Sequence, residues 1–266
     1  MPKMETMNDD EIINYFALLA KTTFELEIIY HTSEDLEHRF ARVPCPCSTS
    51  IPISSDEGIR FLHANRVSMP DGLTYIATQY PLENQHDLFW DLCWEECNLI
   101  VDLTAKGEVD PVYYSDFVGG KYETKKYLLE CKEIQEIDQE IFFYTFLLSQ
   151  KESGATKPVQ RIHYQAFMDY MGTSLGKLSK LIQLIAQFSS ESPSLIHCQA
   201  GVGRTGTLIT AMTMKHLIER KLVDAENLLE KLCEIIIEGR KQRGPLFVES
   251  PAQFKTLIEL MREYRK

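Results

Sequence analysis

A cysteine stands six residues ahead of an arginine in the run His197, Cys198, Gln199, Ala200, Gly201, Val202, Gly203, Arg204, Thr205, Gly206. Its last six residues also satisfy Gly-x-Gly-x-x-Gly, so two chemistries compete for it. One is a dinucleotide pyrophosphate seated on a helix N-terminus; the other is a tetrahedral anion enclosed by the loop itself. The dinucleotide reading needs a second parallel strand that ends in an acidic residue about twenty positions on. Asp224 lies near that distance, but "KLVDAENLLEK" passes from one helical pattern into the next without a β-prone stretch. A Walker-type phosphate loop would need a lysine that the run lacks.

The anion reading uses more of the residues. A strand ending at His197 delivers Cys198 into a tight loop, and Gly201 and Gly203 let the backbone N–H groups of 199–203 turn inward. The helix that follows offers its positive end. These features converge on a phosphate dianion, and they equally favour an anionic sulfur, so Cys198 is expected to act as a thiolate. Arg204 can fold its planar fork against two phosphate oxygens, a bidentate geometry that lysine cannot reproduce. Thr205 can donate its hydroxyl to the sulfur and ease its departure in a second step. No metal or other cofactor is expected. The seven cysteines, with Cys45 close to Cys47 and Cys93 close to Cys97, offer no second Cys/His pair at zinc-site spacing.

The elements that must position these groups can be read from period and composition. With 266 residues, 44% of them hydrophobic and 25% charged, the chain fits one soluble globular domain. No apolar run is long enough to span a bilayer, and the acidic N-terminus lacks a signal peptide's basic start, which points to a cytoplasmic protein. A net charge of −11 repels polyanions, so nucleic acid is excluded as a partner and an anionic substrate needs a local cluster of donors.

Ile12, Ile13, Phe16, Leu19 and Ala20 recur at helical spacing, predicting a helical segment over 1–34 ahead of a core over 35–262. Pro, Ser and Gly accumulate over 41–60, which reads as loop. Strands are expected at "RFLHANRV", "LTYIATQ" and "NLIVDLT", with a helix at "ENQHDLFWDLCWEEC" and an antiparallel meander across 121–167. "MPDG" at 69–72 reads as a plain turn. The last third shows the helical period around Leu178–Phe188 and again over 204–221, 225–242 and 250–265, with "SLIHC" as a short buried strand. The fold class expected is α/β (α+β): a single domain with a twisted mixed β-sheet flanked by helices and a phosphate-binding loop between a strand and a helix.

The signature run is similar to that of the cysteine-dependent protein tyrosine phosphatases. "FLHANRV" with "LTYIATQYPLENQHDLFWDLCWEECNLIVDLT" resembles the tyrosine-specific catalytic domain, and "RIHYQAFMDYMG" resembles its His-Tyr-x-x-Trp-Pro-Asp loop. The resemblance spans about residues 35–262. It implies in-line attack by Cys198, with Asp169 as general acid and then base, on a phosphotyrosine-containing protein or peptide. The apolar neighbours Phe167, Met168, Tyr170 and Met171 would raise the Asp169 pKa. His197 would support the loop through the backbone near Cys198, and a monomer is expected.

Several positions depart from the family pattern. Phe167 and Met168 replace a Trp-Pro pair, which should alter loop closure. Gln253 keeps its place, whereas Glu249 stands where a glutamine would orient the hydrolytic water, so slow turnover of the intermediate is expected. "HRFARV" places Phe40 at a ring-stacking tyrosine and Arg42 at an aspartate that holds the substrate backbone, leaving stacking intact and peptide anchoring altered. In "TAKGEVDPVYY", Ala105 and Asp110 fall where the family places a glutamate and a lysine. Two further readings stay open beside the phosphatase: a catalytically weakened phosphotyrosine-binding pseudophosphatase, and a dual-specificity or lipid phosphatase built on the same loop.

Overall fold

The computed structural model describes residues 4–24, 26–34, 36–55, 58–188 and 192–264. Residues 1–3 and Glu25 of the expected helical segment, Asp56 and Glu57 of the expected loop, and Arg265 of the last expected helix lie outside the described residues.

Among the described residues, nine strands form one sheet in the order β1, β2, β3, β9, β4, β8, β7, β6, β5. They are β1 (Ser50–Ser55), β2 (Gly58–Ser68), β3 (Thr74–Thr78), β4 (Leu99–Asp102), β5 (Lys121–Glu123), β6 (Tyr127–Asp138), β7 (Ile141–Gln150), β8 (Thr156–Tyr164) and β9 (Ser194–His197). β3, β9, β4 and β8 run parallel to one another at the centre, and antiparallel pairs extend the sheet on both sides. The short central strands β4 and β9 are buried at every residue, as strands covered on both faces must be.

The helices are α1 (Asp9–Phe24), α2 (His86–Glu96), α3 (Leu175–Ala186), α4 (Gly203–Glu219), α5 (Leu228–Arg243) and α6 (Pro251–Tyr264). Two apolar cores result, one per sheet face. One gathers residues of α1, α3, α4, α5 and α6 and includes Cys198; the other gathers α2 with Tyr80, Tyr113 and Tyr144. The expected mixed sheet, the meander β5–β8 and the turn at Met69–Gly72 are all present.

Two expectations need correction. Residues 41–60 are not all loop, because β1 occupies Ser50–Ser55. Ile51 and Ile53 alternate inward there, and Pro52, exposed on an edge strand beside a register shift, costs the sheet no inner hydrogen bond. In α1, Ile12 and Leu19 are buried whereas Ile13 is exposed, so the buried face is narrower than its apolar residues suggested.

Candidate active site

The parallel strands bring their C-terminal ends to one edge of the sheet, the edge at which open α/β sheets hold ligands. β9 ends at His197 and hands Cys198 to the loop. β4 leads to Glu108, β8 leads to Asp169, and β3 leads to Gln79 and Tyr80. Backbone bonds knit these ends together: Leu103 N–H donates to His197 O at 2.9 Å, and Tyr80 N–H to Gln199 O at 2.9 Å.

The loop 198–203 curls over the start of α4. Gly201 N–H donates to the Cys198 sulfur at 3.2 Å. Gly201 adopts φ +70, and a Cβ there would lie 2.0 Å from Thr78 O, so only glycine fits between the loop and β3. From below, Arg243 reaches Gly201 O at 2.9 Å and Ala200 O at 3.1 Å. It is fully buried, and its other partners are Asn65 Oδ1 at 2.6 Å and His63 Nδ1 at 2.9 Å. This brace was not legible in the sequence, because a lone arginine late in a helix carries no motif.

Arg204 is fully buried as well, and Glu108 takes both its terminal nitrogens, at 2.6 Å and 2.7 Å. Burial disfavours its charge, yet Cys198, Glu108 and Asp169 together hold its pKa above the ordinary arginine value. The assignment of Ala105 to the glutamate position is therefore corrected to Glu108. The loop tightens where Ala105 N–H donates to Glu108 Oε2 at 2.6 Å, while Asp110 is exposed. Gln199 Nε2 donates to Glu108 O at 3.1 Å, tying the same residue to the signature loop.

Arg204 also donates to Phe167 O at 3.0 Å and lies 3.3 Å from Asp169 Oδ1, so it holds the Asp169 loop against the 198–203 loop. The Asp169 pKa is raised first by burial and further by Glu108, against Arg204 and Arg42. The apolar surroundings expected for it are only partly realised. Phe167 is buried, but Met168, Tyr170 and Met171 are exposed.

On the other flank, a Cβ on Gly203 would lie 3.0 Å from both Gln253 Nε2 and Glu249 Oε2, which places both side chains at the cradle. Gln253 Oε1 accepts from Glu249 N–H at 2.8 Å, and its Nε2 is buried without a hydrogen-bond partner. Glu249 has its pKa raised by burial and by Asp169, while Arg42 and Arg204 oppose. The Thr205 hydroxyl is likewise buried and unpaired. Phe40 is half-buried and belongs to neither core.

His197 is fully buried. Its Nε2 lies 2.7 Å from the Tyr113 hydroxyl, and its Nδ1 lies 3.7 Å from Asp102 Oδ1. Burial lowers its pKa, opposed by Asp102 and by the backbone at Cys198. Asp102 was not among the residues singled out in the sequence. Burial opposes its ionisation, but His197, His163, Arg161 and Thr104 hold its carboxyl well below the usual range. Beyond the cradle, α4 leads through a turn into α5 with no strand between them, so Asp224 is not the acidic residue of a dinucleotide site.

A family profile for protein-tyrosine phosphatase matches residues 35–263. Curated relatives include tyrosine-protein phosphatase 1 of Caenorhabditis elegans, 26% identical over 98% of this chain and 26% of its own length. Human receptor-type tyrosine-protein phosphatase H is 29% identical over 86% of this chain and 20% of its own length. The chain thus spans well under half the length of these two relatives. Among solved structures, the catalytic domain of human protein tyrosine phosphatase non-receptor type 18 superposes with a TM-score of 0.84 at 20% identity, over 95% of this chain and 96% of the other. A structure of the same phosphatase with HER2 phosphopeptides gives a TM-score of 0.84 at 18% identity, over 95% of this chain and 92% of the other. The motif, the fold and the profile converge: the chain belongs to the protein-tyrosine phosphatase family.

Proposed function

We propose that the protein hydrolyses phosphotyrosine in proteins or peptides through a cysteinyl-phosphate intermediate. The observation that carries this reading is the convergence at one sheet edge of Cys198, of Arg204 locked by Glu108, and of Asp169 at 3.3 Å from that arginine. Sγ of Cys198 attacks phosphorus in line, and the bond to the tyrosine oxygen breaks with its electron pair on that oxygen. Asp169, kept protonated to higher pH by its raised pKa, gives the leaving oxygen its proton. Water then attacks phosphorus, Asp169 takes a proton from it, and the P–S bond breaks to restore the thiolate, whose departure Thr205 eases. Arg204 and the amides of Gln199, Ala200, Gly201, Val202 and Gly203 hold the equatorial oxygens throughout. Phe40 forms a wall for the substrate ring. Gln253 directs its unpaired Nε2 to the attacking water.

Glu249 favours a second reading, a binding module that captures phosphotyrosine without releasing phosphate. A carboxylate beside the phosphoenzyme repels charge, and in this protein it lies at the cradle wall.

Aryl phosphate, phosphotyrosine, phosphoserine and phosphoinositide substrates, assayed with wild type, Cys198→Ser and Asp169→Ala, separate these readings. Turnover selective for phosphotyrosine is expected, abolished in Cys198→Ser and lowered about 100-fold or more in Asp169→Ala, the scale of general-acid catalysis. Phosphotyrosine binding without turnover in wild type would leave only the binding module. Equal rates on phosphoinositides would point to a lipid phosphatase.

A further inference from the structure

The residue after the general acid is held from outside its own loop. Tyr170 adopts φ +57, a left-handed conformation that a bulky residue keeps only when its surroundings impose it. Its carbonyl accepts from Ser250 Oγ at 2.7 Å. Its hydroxyl accepts a hydrogen bond from Arg42 Nη2, and the Arg42 guanidinium lies over its ring at 5.6 Å from the centroid. The same guanidinium nitrogen stands 3.6 Å from Glu249 Oε1. Met168 and Met171, the other apolar residues of the loop tip, are exposed and give it no anchorage.

Arg42 grips from a fixed base. Its neighbour Arg39 binds Gln79 Oε1 through the backbone at 2.9 Å, and through its side chain Tyr80 O at 3.1 Å and Pro81 O at 3.0 Å. The loop that carries Arg42 is thereby fastened to the chain leaving β3. Asp169 consequently lies between two anchored residues: Phe167, buried and bound by Arg204, and Tyr170, clasped by Arg42.

We propose that Arg42 is a positioning residue that clasps the acid loop over the phosphate cradle through Tyr170, with Glu249 as its counter-charge. This rests on the reading of Asp169 as general acid. Arg42 touches no reacting atom in this role and acts by keeping the carboxyl over the leaving oxygen. A planar cation is suited to it, because the contact combines a ring face with a hydroxyl.

The test uses a series of aryl phosphates whose leaving groups range from acidic to weakly acidic, with wild type, Arg42→Ala, Arg42→Lys and Tyr170→Phe. In Arg42→Ala, kcat on phenyl phosphate is expected to fall about tenfold, the bias that one exposed cation–π contact with a hydrogen bond can exert on a loop. The loss should shrink as the leaving group becomes acidic enough to depart unprotonated. Arg42→Lys and Tyr170→Phe should fall between wild type and Arg42→Ala.

Hydrogen exchange without substrate gives a readout independent of catalysis: amides of 168–172 should exchange faster in Arg42→Ala, while those of β6 and β7 stay unchanged. The same loss across the whole series, a rise in KM alone, or unaltered exchange at 168–172 would overturn the clasp. An inactive wild type whose Arg42→Ala exchange still quickens would overturn the phosphatase reading and retain the clasp.

Discussion

Burying a guanidinium is costly unless it is paired or fully hydrogen-bonded, and Arg204 has the Glu108 carboxylate on both terminal nitrogens. The same glutamate raises the Asp169 pKa, so it acts on the arginine and on the acid together. Glu108→Gln is expected to lower kcat about 10- to 100-fold through misplacement of Arg204. It should also move the alkaline limb of the kcat profile to lower pH: with the neighbouring negative charge gone, Asp169 loses its proton earlier. A pH–rate profile of the two proteins on one aryl phosphate checks both effects. At this scale, the grouping of Cys198, Arg204 and Thr205 was legible because eight consecutive residues, running from the loop into the start of α4, hold them all. Glu108 and Arg243 reach the loop from other elements, Asp102 stands beside His197 just ahead of it, and nothing in local spacing connects positions 108, 243 and 198. The offset from Ala105 to Glu108 arose in a loop with no strand or helix to fix its register.

Strands β4 and β8 share more than backbone hydrogen bonds. Arg161, fully buried on β8, binds Asp102 Oδ2 on β4 at 2.5 Å, and its guanidinium lies 3.8 Å from the centroid of the Tyr114 ring. Each strand also leads into a loop of the candidate site, so the pair joins the roots of the Glu108 loop and the Asp169 loop. Arg161→Met is expected to destabilise the fold by about 3–5 kcal/mol because a buried carboxylate is left unpaired, whereas Asp102→Leu with Arg161→Met recovers most of that loss. Urea unfolding at neutral pH checks this. The depressed Asp102 pKa fixes the sign of the wild-type pH dependence. Its contribution is in place at and above the ordinary carboxylate range and is lost only as pH falls toward the depressed value. The buried central strands and the amphipathic helices were readable as periods in the sequence. β1 was not, since an edge strand carrying a proline has the composition of a loop and gains its order from pairing with β2.

For the whole molecule, a net charge of −11 and the proposed anion-binding role of the 198–203 loop are reconciled by placing donors where the sheet edge concentrates them. The N-terminal helix takes part in that arrangement although it precedes the family-matched residues. Arg240 on α5 donates to Leu19 O at 3.0 Å and to Thr23 Oγ1 at 2.8 Å in α1, and on its other side to Phe247 O at 3.1 Å and Val248 O at 3.2 Å. Val248 adopts φ +58, which a β-branched side chain strongly resists, and the next residue is Glu249 at the cradle wall. α1 therefore acts as a counterweight at the far end of a lever whose short arm sets Glu249 and Gln253. Deleting residues 1–24 takes two acceptors from Arg240 and removes Ile12 and Leu19 from the core, a loss expected to outweigh relief of the roughly 1–3 kcal/mol of strain held at Val248. The measurable result is a lower Tm together with slower release of phosphate from the proposed intermediate, from a cut made far along the sequence from Cys198.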